Sequence, residues 1–337
     1  MARVRRVDCS QPGIQRIGRG RGFSFHEEDG ELVRDREVLD RIGQLAIPPA
    51  WKQVWVCPIA NGHIQATGFD IAGRKQYLYH DAWRANRDRE KFDEMLEFGR
   101  ALPKIRERLR ADLRKRDLVR DRVLACAVML LDLGFFRIGS DRYAEQNETY
   151  GLATLRKRHV SIRSKSAQFE FEAKGSERQT YEVAEPAVQT TLRRLKERRG
   201  GGAELLAYRR EGKWVDVKAT DVNEYLKRVS GGEYSAKDFR TWNATVLAAI
   251  ELARRADQAA GSKAARRRAA KQATQAVADY LRNTPAVCRS AYIDPRVFDR
   301  FDSGETIALE RMLSETGEDE FVDRLRMERA VLRLLSD

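Results

Sequence analysis

Residues 51–79, WKQVWVCPIANGHIQATGFDIAGRKQYLY, decide the first part of the fold because short apolar runs alternate there with turn signals. Asn61 and Gly62 separate two of these runs, which is a strong signal for a β-hairpin. A second turn at Gly73 leads into another short strand. The segment therefore predicts a β-rich region.

The last predicted strand, KQYLY, ends this region at residue 79. Side chains alternate between the two faces of a strand, so Gln76 and Leu78 share one face and Tyr77 and Tyr79 share the other. Tyrosines in strands are usually ordinary sheet residues. The alternation alone therefore assigns them no function.

The chain before this region is basic and rich in glycine, with six arginines in residues 1–22. Gly18, Gly20 and Gly22 form a GxGxG pattern. No predicted strand precedes the pattern and no apolar helix follows it, which excludes a dinucleotide-binding loop. We expect residues 1–22 to form a mobile basic arm.

The chain after this region is mainly helical. Residues 118–133 predict a core helix that stops at Gly134. Ser235 followed by Asp238 predicts the start of a capped helix. Residues 263–271, KAARRRAAK, are expected to be a basic helix or a linker.

Strands return in residues 159–183, where Phe169 and Phe171 alternate with glutamates. Lys174 lies at the tip between the last two of these strands. We therefore predict an α+β fold with two domains. Residues 1–82 form a small β-rich N-terminal domain, and residues 83–337 form a larger, mainly helical domain that contains a small antiparallel sheet.

The composition limits the kinds of molecule that the chain is expected to bind. The 64 lysines and arginines exceed the 51 acidic residues and give a net charge of +13, which favours a polyanion and nucleic acid above a membrane. No apolar run reaches the roughly 20 residues that a membrane span needs. The four scattered cysteines indicate reduced thiols in a cytoplasmic protein without a zinc site. No phosphate-binding loop for ATP is present.

One stretch near the C-terminus, residues 283–295 (NTPAVCRSAYIDP), combines a helix start with a reactive hydroxyl. Thr284 caps a short helix that Pro285 opens, and Tyr292 lies at its end. Asn283 lies nine residues before Tyr292. Helical side chains lean toward the N-terminus of their helix, so Asn283 and Tyr292 could border one pocket.

Together with four other motifs, this stretch resembles the type IB DNA topoisomerases, in particular the small poxvirus-type enzymes and their bacterial relatives. Each motif alone is weak, but five in the order of the family support the resemblance over nearly the whole chain. The motifs are GRKQYLY at 73–79, FRIG at 136–139 with ETYGL at 148–152, KG at 174–175, KDFRT at 237–241 and RSAYI at 289–293.

The resemblance implies a role for each matching residue. Tyr292 would attack a DNA phosphodiester and form a 3′-phosphotyrosyl link. Arg137 and Arg240 would hold the non-bridging oxygens, and Lys174 would protonate the departing 5′ oxygen. Asn283 occupies the position of the usual histidine, so it could only donate a hydrogen bond there.

The resemblance also implies how double-stranded DNA is held. Contacts to DNA are expected from six residues: Gln76, Tyr77, Tyr79, Ser140, Tyr143 and Lys237. The chain would act as a cytoplasmic, nucleoid-associated monomer whose two domains close around DNA as a clamp. No cofactor would be required for the reaction, and Mg²⁺ could only stimulate it.

Two alternatives use the same charge pattern. A tyrosine recombinase has a similar set of catalytic residues, but it usually has histidine where Lys237 stands and a helical N-terminal domain. A non-enzymatic architectural DNA-binding protein would be equally basic. A covalent protein–DNA adduct would distinguish it from an enzyme.

Overall fold

The computed structural model describes residues 4–20, 22–134, 136–139, 149–173, 177–309 and 320–336. The chain divides into two compact units, Met1–Asp93 and Glu94–Asp337. The first is built around a sheet and the second mainly from helices, as the α+β prediction requires. None of the described helices combines the length and apolar character that a membrane crossing requires.

The first unit contains a five-stranded antiparallel sheet in the order β2-β1-β3-β4-β5. Its strands are β1 (Ile14–Arg19), β2 (Gly22–His26), β3 (Lys52–Val56), β4 (Ile64–Phe69) and β5 (Lys75–Tyr79). The three strands predicted within residues 51–79 are confirmed. Asn61 and Gly62 belong to a longer connection, however, because β3 ends at Val56 and β4 begins at Ile64.

The prediction of a mobile arm over residues 1–22 is wrong for its second half. β1 lies inside the sheet, and Ile14 is buried in the core. The guanidinium of Arg16 donates to the carbonyls of Pro48 (3.2 Å) and Trp51 (2.6 Å) and lies over the ring of Phe23. A basic composition suggested solvation, whereas this long side chain ties a loop to the sheet.

Both faces of the sheet are covered. Helix α1 (Arg36–Gln44), capped by Asp35, packs Ile42 onto a cluster that includes Val54 and Val56. The opposite face carries a second cluster around Trp55. Gly13 lacks a side chain because a Cβ there would lie 2.2 Å from the indole nitrogen of Trp55.

The second unit is organised around one buried helix, α3, in which every residue from Arg122 to Asp132 is buried. After α1, the described helices are, in chain order, α2 (Asp81–Leu113), α3 (Arg120–Asp132), α4 (Pro186–Glu197), α5 (Ala219–Ser230), α6 (Ala236–Ala253), α7 (Ala256–Ala259), α8 (Lys263–Leu281), α9 (Pro285–Ala291), α10 (Arg296–Asp302) and α11 (Glu320–Ser336). Helices α4, α5 and α6 pack against α3. The predicted core helix and the helix after Ser235 are confirmed, and residues 263–271 are helical.

A small antiparallel sheet completes the second unit, as predicted. It consists of β6 (Val160–Ile162), β7 (Ala167–Ala173) and β8 (Glu177–Val183) in that order. A separate hairpin pairs β9 (Ala207–Arg210) with β10 (Lys213–Asp216). Alternation buries Phe169 and Phe171 on one face of β7.

The division between the units falls inside α2, after the boundary predicted at residue 82. The change from strand to helix does occur there, because β5 ends at Tyr79 and α2 begins at Asp81. The first turn of α2 nevertheless belongs to the first unit. Trp83 packs edge-on against His63, with ring centroids 4.8 Å apart, and lies under the guanidinium of Arg6.

Candidate active site

The C-terminal end of α8 brings two arginines together that are far apart in the chain. Arg240 of α6 donates from Nη2 to the carbonyl of Leu281 at 2.9 Å. Arg137 donates from Nη2 to the carbonyl of the next residue, Arg282, at 2.6 Å. Consecutive carbonyls at a helix C-terminus carry partial negative charge and therefore suit two cations.

Arg282 adopts an unusual backbone conformation that makes this arrangement possible. Its φ of 51° and ψ of 55° lie in the left-handed region, which is costly for any residue other than glycine. The turn ends α8 and lets the amide of Asn283 donate to the carbonyl of Ala278 at 3.0 Å. Strain of this kind is often found at functional sites.

The segment that carries Arg137 is fixed by its backbone. The amides of Leu152 and Ala153 donate to the carbonyls of Arg137 and Ile138, both at 2.8 Å. Gly139, with φ of 76°, passes so close to Gly151 that a Cβ on Gly139 would lie 2.7 Å from the Gly151 Cα. Two glycines are therefore needed where these segments cross.

Arg240 is buried, only 5% exposed, beside the predicted nucleophile. Its guanidinium lies 5.4 Å from the ring centroid of Tyr292. Burial lowers the pKa of Arg240 from its usual value, and the charge of Arg137 acts in the same direction, while Tyr292 opposes both. An arginine keeps its charge under such a shift, so a cation with no carboxylate partner among the described residues lies next to a phenol.

Tyr292 follows directly after α9, in the position predicted from the capped helix. Its amide donates to the carbonyl of Cys288 at 3.0 Å. Its own carbonyl accepts from the buried hydroxyl of Thr245 at 3.4 Å, and the same hydroxyl accepts from the amide of Asp294 at 3.1 Å. Thr245 thus attaches the end of α9 to the helix that carries Arg240.

The side-chain amide of Asn283 has a hydrogen-bond partner for its oxygen but, among the described residues, none for its nitrogen. Its Oδ1 accepts from Arg137 Nη2 at 2.8 Å. Its Nδ2 is buried and has no hydrogen-bond partner among the described residues. A buried unpaired donor costs about 1–3 kcal/mol, so this amide is suited to an acceptor that arrives with a ligand.

The remaining predicted residues fall into three groups. Lys174, Ser140 and Tyr143 lie outside the described residues. Lys237 is exposed in the first turn of α6, one turn before Arg240. The third group, in the first unit, consists of Gln76, Tyr77 and Tyr79.

Those three residues lie on β5 with the alternation that was predicted. Tyr77 and Tyr79 are exposed and stack with ring centroids 6.1 Å apart. The ammonium of Lys75 lies 5.6 Å from the Tyr77 ring, and Gln76 donates to Asp70 at 2.9 Å. This face of the strand therefore offers stacked aromatic rings beside a cation.

The small sheet of the second unit is tied to the segment of Arg137. Phe136 is buried against Phe169 and Phe171 of β7, with ring centroids 5.0 and 6.2 Å away. β7 ends at Ala173, directly before Lys174 in the chain. The strand that precedes the predicted lysine is thus packed against the residue before the predicted arginine.

Sequence reasoning missed a group of residues that supports this site from behind. The hydroxyl of Tyr280 donates to the carbonyl of Leu133 at 2.7 Å, and Asn243 Nδ2 donates to the carbonyl of Asp132 at 3.0 Å. Gly134 has φ of 82°, and a Cβ there would lie 2.2 Å from the Tyr280 oxygen. Gly134 was visible as a helix stop, but no local pattern pointed to its partners.

A buried ion cluster lies behind the same turn. Arg106 is paired with Asp132 at 2.8 Å and with Glu328 at 2.6 Å, and Arg324 also reaches Asp132 at 2.8 Å. Burial opposes the charge of Arg106, but the two carboxylates outweigh it and raise its pKa. The cluster joins α2, α3 and α11.

The described residues contain no group of three or more histidine, cysteine or acidic side chains that could hold a metal ion. The four cysteines are all unpaired. The described residues of this site offer two guanidiniums, an amide donor and a phenol.

Comparison with known proteins identifies the class to which this fold and site belong. Residues 80–310 match the family described as "Eukaryotic DNA topoisomerase I, catalytic core". The chain therefore belongs to the DNA topoisomerase I family. Residues 22–70 match the N-terminal domain of bacterial DNA topoisomerase IB, which makes the chain a type IB topoisomerase with the bacterial form of the first unit.

Individual relatives agree with this assignment. The chain is 29% identical over 286 residues to DNA topoisomerase 1B of Acanthamoeba polyphaga mimivirus, covering 83% of this chain and 85% of that protein. It is 26% identical over 273 residues to DNA topoisomerase 1 of Mycosarcoma maydis, of which it covers 26%. It is also 26% identical over 151 residues to DNA topoisomerase 1B of Vaccinia virus, strain Copenhagen, of which it covers 48%.

Proposed function

We propose that the chain relaxes supercoiled duplex DNA by cutting and resealing one strand through a covalent link to Tyr292. The observation that carries this proposal is the position of the Tyr292 ring beside the buried guanidinium of Arg240. Arg137 and Asn283 border the same helix end. This arrangement provides a nucleophile and three hydrogen-bond donors for one phosphate.

The two arginines bind the phosphate. Each guanidinium has five N–H donors in a fixed plane, and one nitrogen of each donates to a carbonyl of α8. Other N–H groups of the two guanidiniums bind the non-bridging oxygens, whose negative charge grows as the phosphorus becomes five-coordinate. The Nδ2 of Asn283 donates a further hydrogen bond to these oxygens.

The cleavage step exchanges one phosphoester bond for another. The Tyr292 oxygen loses its proton to water and bonds to phosphorus, while the bond from phosphorus to the 5′ oxygen breaks. A tyrosine hydroxyl is normally protonated at neutral pH, so neighbouring cations help by stabilising the charge that develops. Lys174 donates a proton to the departing 5′ oxygen.

Religation is the reverse of this step. The free 5′ hydroxyl attacks the phosphotyrosyl phosphorus, Tyr292 leaves, and Lys174 takes back its proton. The number of phosphoester bonds does not change in either direction. The cycle therefore requires neither ATP nor a metal ion, and Mg²⁺ acts only as a stimulant.

The first unit binds the duplex as one half of a clamp in a monomeric enzyme. Stacked aromatic rings beside a cation, as on β5, suit bases and phosphates, and glutamine can bind an adenine edge in the major groove. Gln76, Tyr77 and Tyr79 make these contacts in the proposal. Lys237, Ser140 and Tyr143 contact the backbone near the cleavage site. An enzyme of this kind works in the cytoplasm on the nucleoid.

The experiment that tests the proposal is capture of the covalent intermediate. Supercoiled plasmid is mixed with the protein, denatured with SDS and examined for protein bound to the 3′ end of a nick. Wild-type protein should relax the plasmid and form this adduct, whereas Tyr292→Phe should do neither and still bind duplex DNA. Relaxation by Tyr292→Phe at the wild-type rate would refute the assignment of the nucleophile.

A further inference from the structure

The first half of α8 presents cations to solvent at some distance from the candidate active site. Lys263, Arg267, Arg268 and Lys271 are all exposed. Arg266, by contrast, is half-buried and donates to the carbonyl of Asp302 at 2.6 Å. The exposed residues form a distinct group, which we call the α8 cation row.

Lys263, the first member of the α8 cation row, opposes the electrostatics of its own helix. A helix N-terminus carries partial positive charge, and each cation placed there costs roughly 0.3–1 kcal/mol. The first turn of α8 contains no acidic residue, whereas α1 has Glu37 and α6 has Asp238 in the same position. Stability alone would favour acidic residues here, which points to an external anion.

In the part of the chain that the structure describes, these cations have no carboxylate partner. Within the described residues, no carboxylate lies within ion-pair distance of any member of the α8 cation row. Some exposed cations on other helices of the same unit, by contrast, have a carboxylate partner. Arg108 contacts Asp112, Lys227 contacts Glu233, and Arg254 contacts Glu251.

The spacing of the row fits a nucleic-acid backbone. Lys263, Arg267 and Lys271 recur every four residues and therefore lie on one helix face, about 6 Å apart along the axis. The phosphates of one DNA strand are about 3.4 Å apart along the duplex axis. The row, about 12 Å long, is thus comparable with three or four successive phosphates on one strand.

The rest of α8 connects the row rigidly to the candidate site. The opposite face of the helix is buried through Ala269, Ala273 and Val277, and it packs against α6. The helix ends at Leu281, whose carbonyl holds Arg240. At 1.5 Å per residue, the row lies about 15–27 Å from Leu281 along the helix axis.

We infer that Lys263, Arg267, Arg268 and Lys271 form a second phosphate-binding surface for duplex DNA, separate from the phosphate that is cleaved. The inference rests on the proposed function because it assigns part of the duplex on which that function acts. The surface binds backbone phosphates without reading bases. It holds DNA several base pairs away from the site of cleavage.

The test compares two triple variants of the full chain with equal loss of charge. Lys263→Gln/Arg267→Gln/Lys271→Gln removes the row, and Arg108→Gln/Lys227→Gln/Arg254→Gln removes three paired cations. Duplex binding is measured over a range of salt concentrations. Loss of three phosphate contacts should reduce the slope of log affinity against log salt by about two to three, whereas the control should change it by less than one.

Duplex length gives a second readout. In the proposal the duplex runs along α8, so at about 3.4 Å per base pair the row corresponds to DNA roughly 4–8 base pairs from the cleavage site. Wild type and row variant should therefore bind very short duplexes equally and differ on duplexes extended beyond this length. Melting temperature should not fall in the row variant, because the three substituted side chains are exposed and Lys263 lies at the positive end of the helix dipole.

Equal changes in slope for the two variants would overturn the inference, and so would an unchanged slope in the row variant. Neither result would affect the proposed function, which depends on the covalent adduct. The row variant should still form that adduct on a short duplex. Absence of the adduct in wild type would instead refute the proposed function. The salt slopes would still show whether the α8 cation row binds duplex DNA.

Discussion

Two groups of buried or half-buried arginines in the second unit differ in the groups that accept their hydrogen bonds. Arg106 is held by the carboxylates of Asp132 and Glu328, at 2.8 and 2.6 Å. Arg137 and Arg240 are held by backbone carbonyls and one amide oxygen. Both groups are hydrogen-bonded, but in the described residues only the first is paired with negative charge.

This difference teaches how the same side chain serves structure in one place and chemistry in another. A carboxylate partner cancels the charge of an arginine and leaves little attraction for an incoming anion. A carbonyl partner fixes the orientation of the guanidinium and leaves its charge in place. A phosphate would therefore bind at the end of α8 and not at the ion cluster.

The largest expected effect comes from removing one uncompensated arginine. Arg137→Ala should slow single-turnover cleavage of a duplex by about 10²–10³-fold, because a charged donor to the developing oxyanion is lost. Asn283→Ala removes only a neutral donor and should slow cleavage by about tenfold. Equal losses in the two variants would contradict the division of roles between charge and hydrogen bonding.

The ion cluster should respond in stability, in contrast to the site. Arg106→Met leaves the two buried carboxylates with Arg324 but without the buried cation between them, and it should lower the free energy of unfolding by about 3–5 kcal/mol. Urea denaturation measures the loss, with Arg108→Gln as the control, since an exposed pair contributes about 1 kcal/mol or less. The comparison would fail if folded Arg106→Met cleaved DNA much more slowly than wild type but kept the wild-type free energy of unfolding.

His159 provides a third environment, in which a neutral ring lies among arginines. Burial lowers its pKa to about 4, and Arg158 and Arg156 contribute in the same direction. Because the unfolded ring binds a proton near pH 6.5 and the folded ring does not, stability is lost as the pH falls from about 6.5 to 4. Above that range, His159 makes no pH-dependent contribution to the free energy of unfolding.

The His159→Gln variant isolates this contribution. Between pH 7 and 4.5, wild type should lose about 2 kcal/mol more unfolding free energy than the variant does. Carboxylates such as Asp132 also lose stability at acid pH, but they are common to both proteins. Parallel stability curves for the two proteins would show that the ring is protonated in the folded state.

The smallest expected effect concerns Tyr280, which connects α8 to the turn before Arg137. Tyr280→Phe loses the hydrogen bond to the Leu133 carbonyl and should cost about 1 kcal/mol of stability. If Tyr280 positions the arginines, single-turnover cleavage should slow several-fold while duplex affinity stays the same. A loss of stability with an unchanged cleavage rate would assign it a structural role only.

The parts of the molecule that the sequence predicted well depend on local patterns. Ser235 and Asp238 predicted a capped helix. In the structure, Asp238 accepts hydrogen bonds from both the amide and the hydroxyl of Ser235, at 2.7 and 2.9 Å. The alternation in β5 placed Tyr77 and Tyr79 on one exposed face. Lys174, Ser140 and Tyr143 stay predictions.

The failures had a different physical origin. Residues 1–22 appeared mobile because arginine and glycine dominate them, but β1 is held by a core residue and by carbonyls more than thirty positions away. Tyr280 and Glu328 escaped notice for the same reason. Their partners lie 147 and 222 residues away in the chain.

The sequence by itself determined the family, the order of the elements and the residue types available for chemistry, because these follow from local periodicity and from motifs in a fixed order. Only the tertiary structure decided which arginines lie beside a carboxylate and which do not. A guanidinium is neutralised or left uncompensated by whatever side chain the fold places within about 4 Å of it. That neighbour is set by packing between distant helices, and no local pattern encodes it.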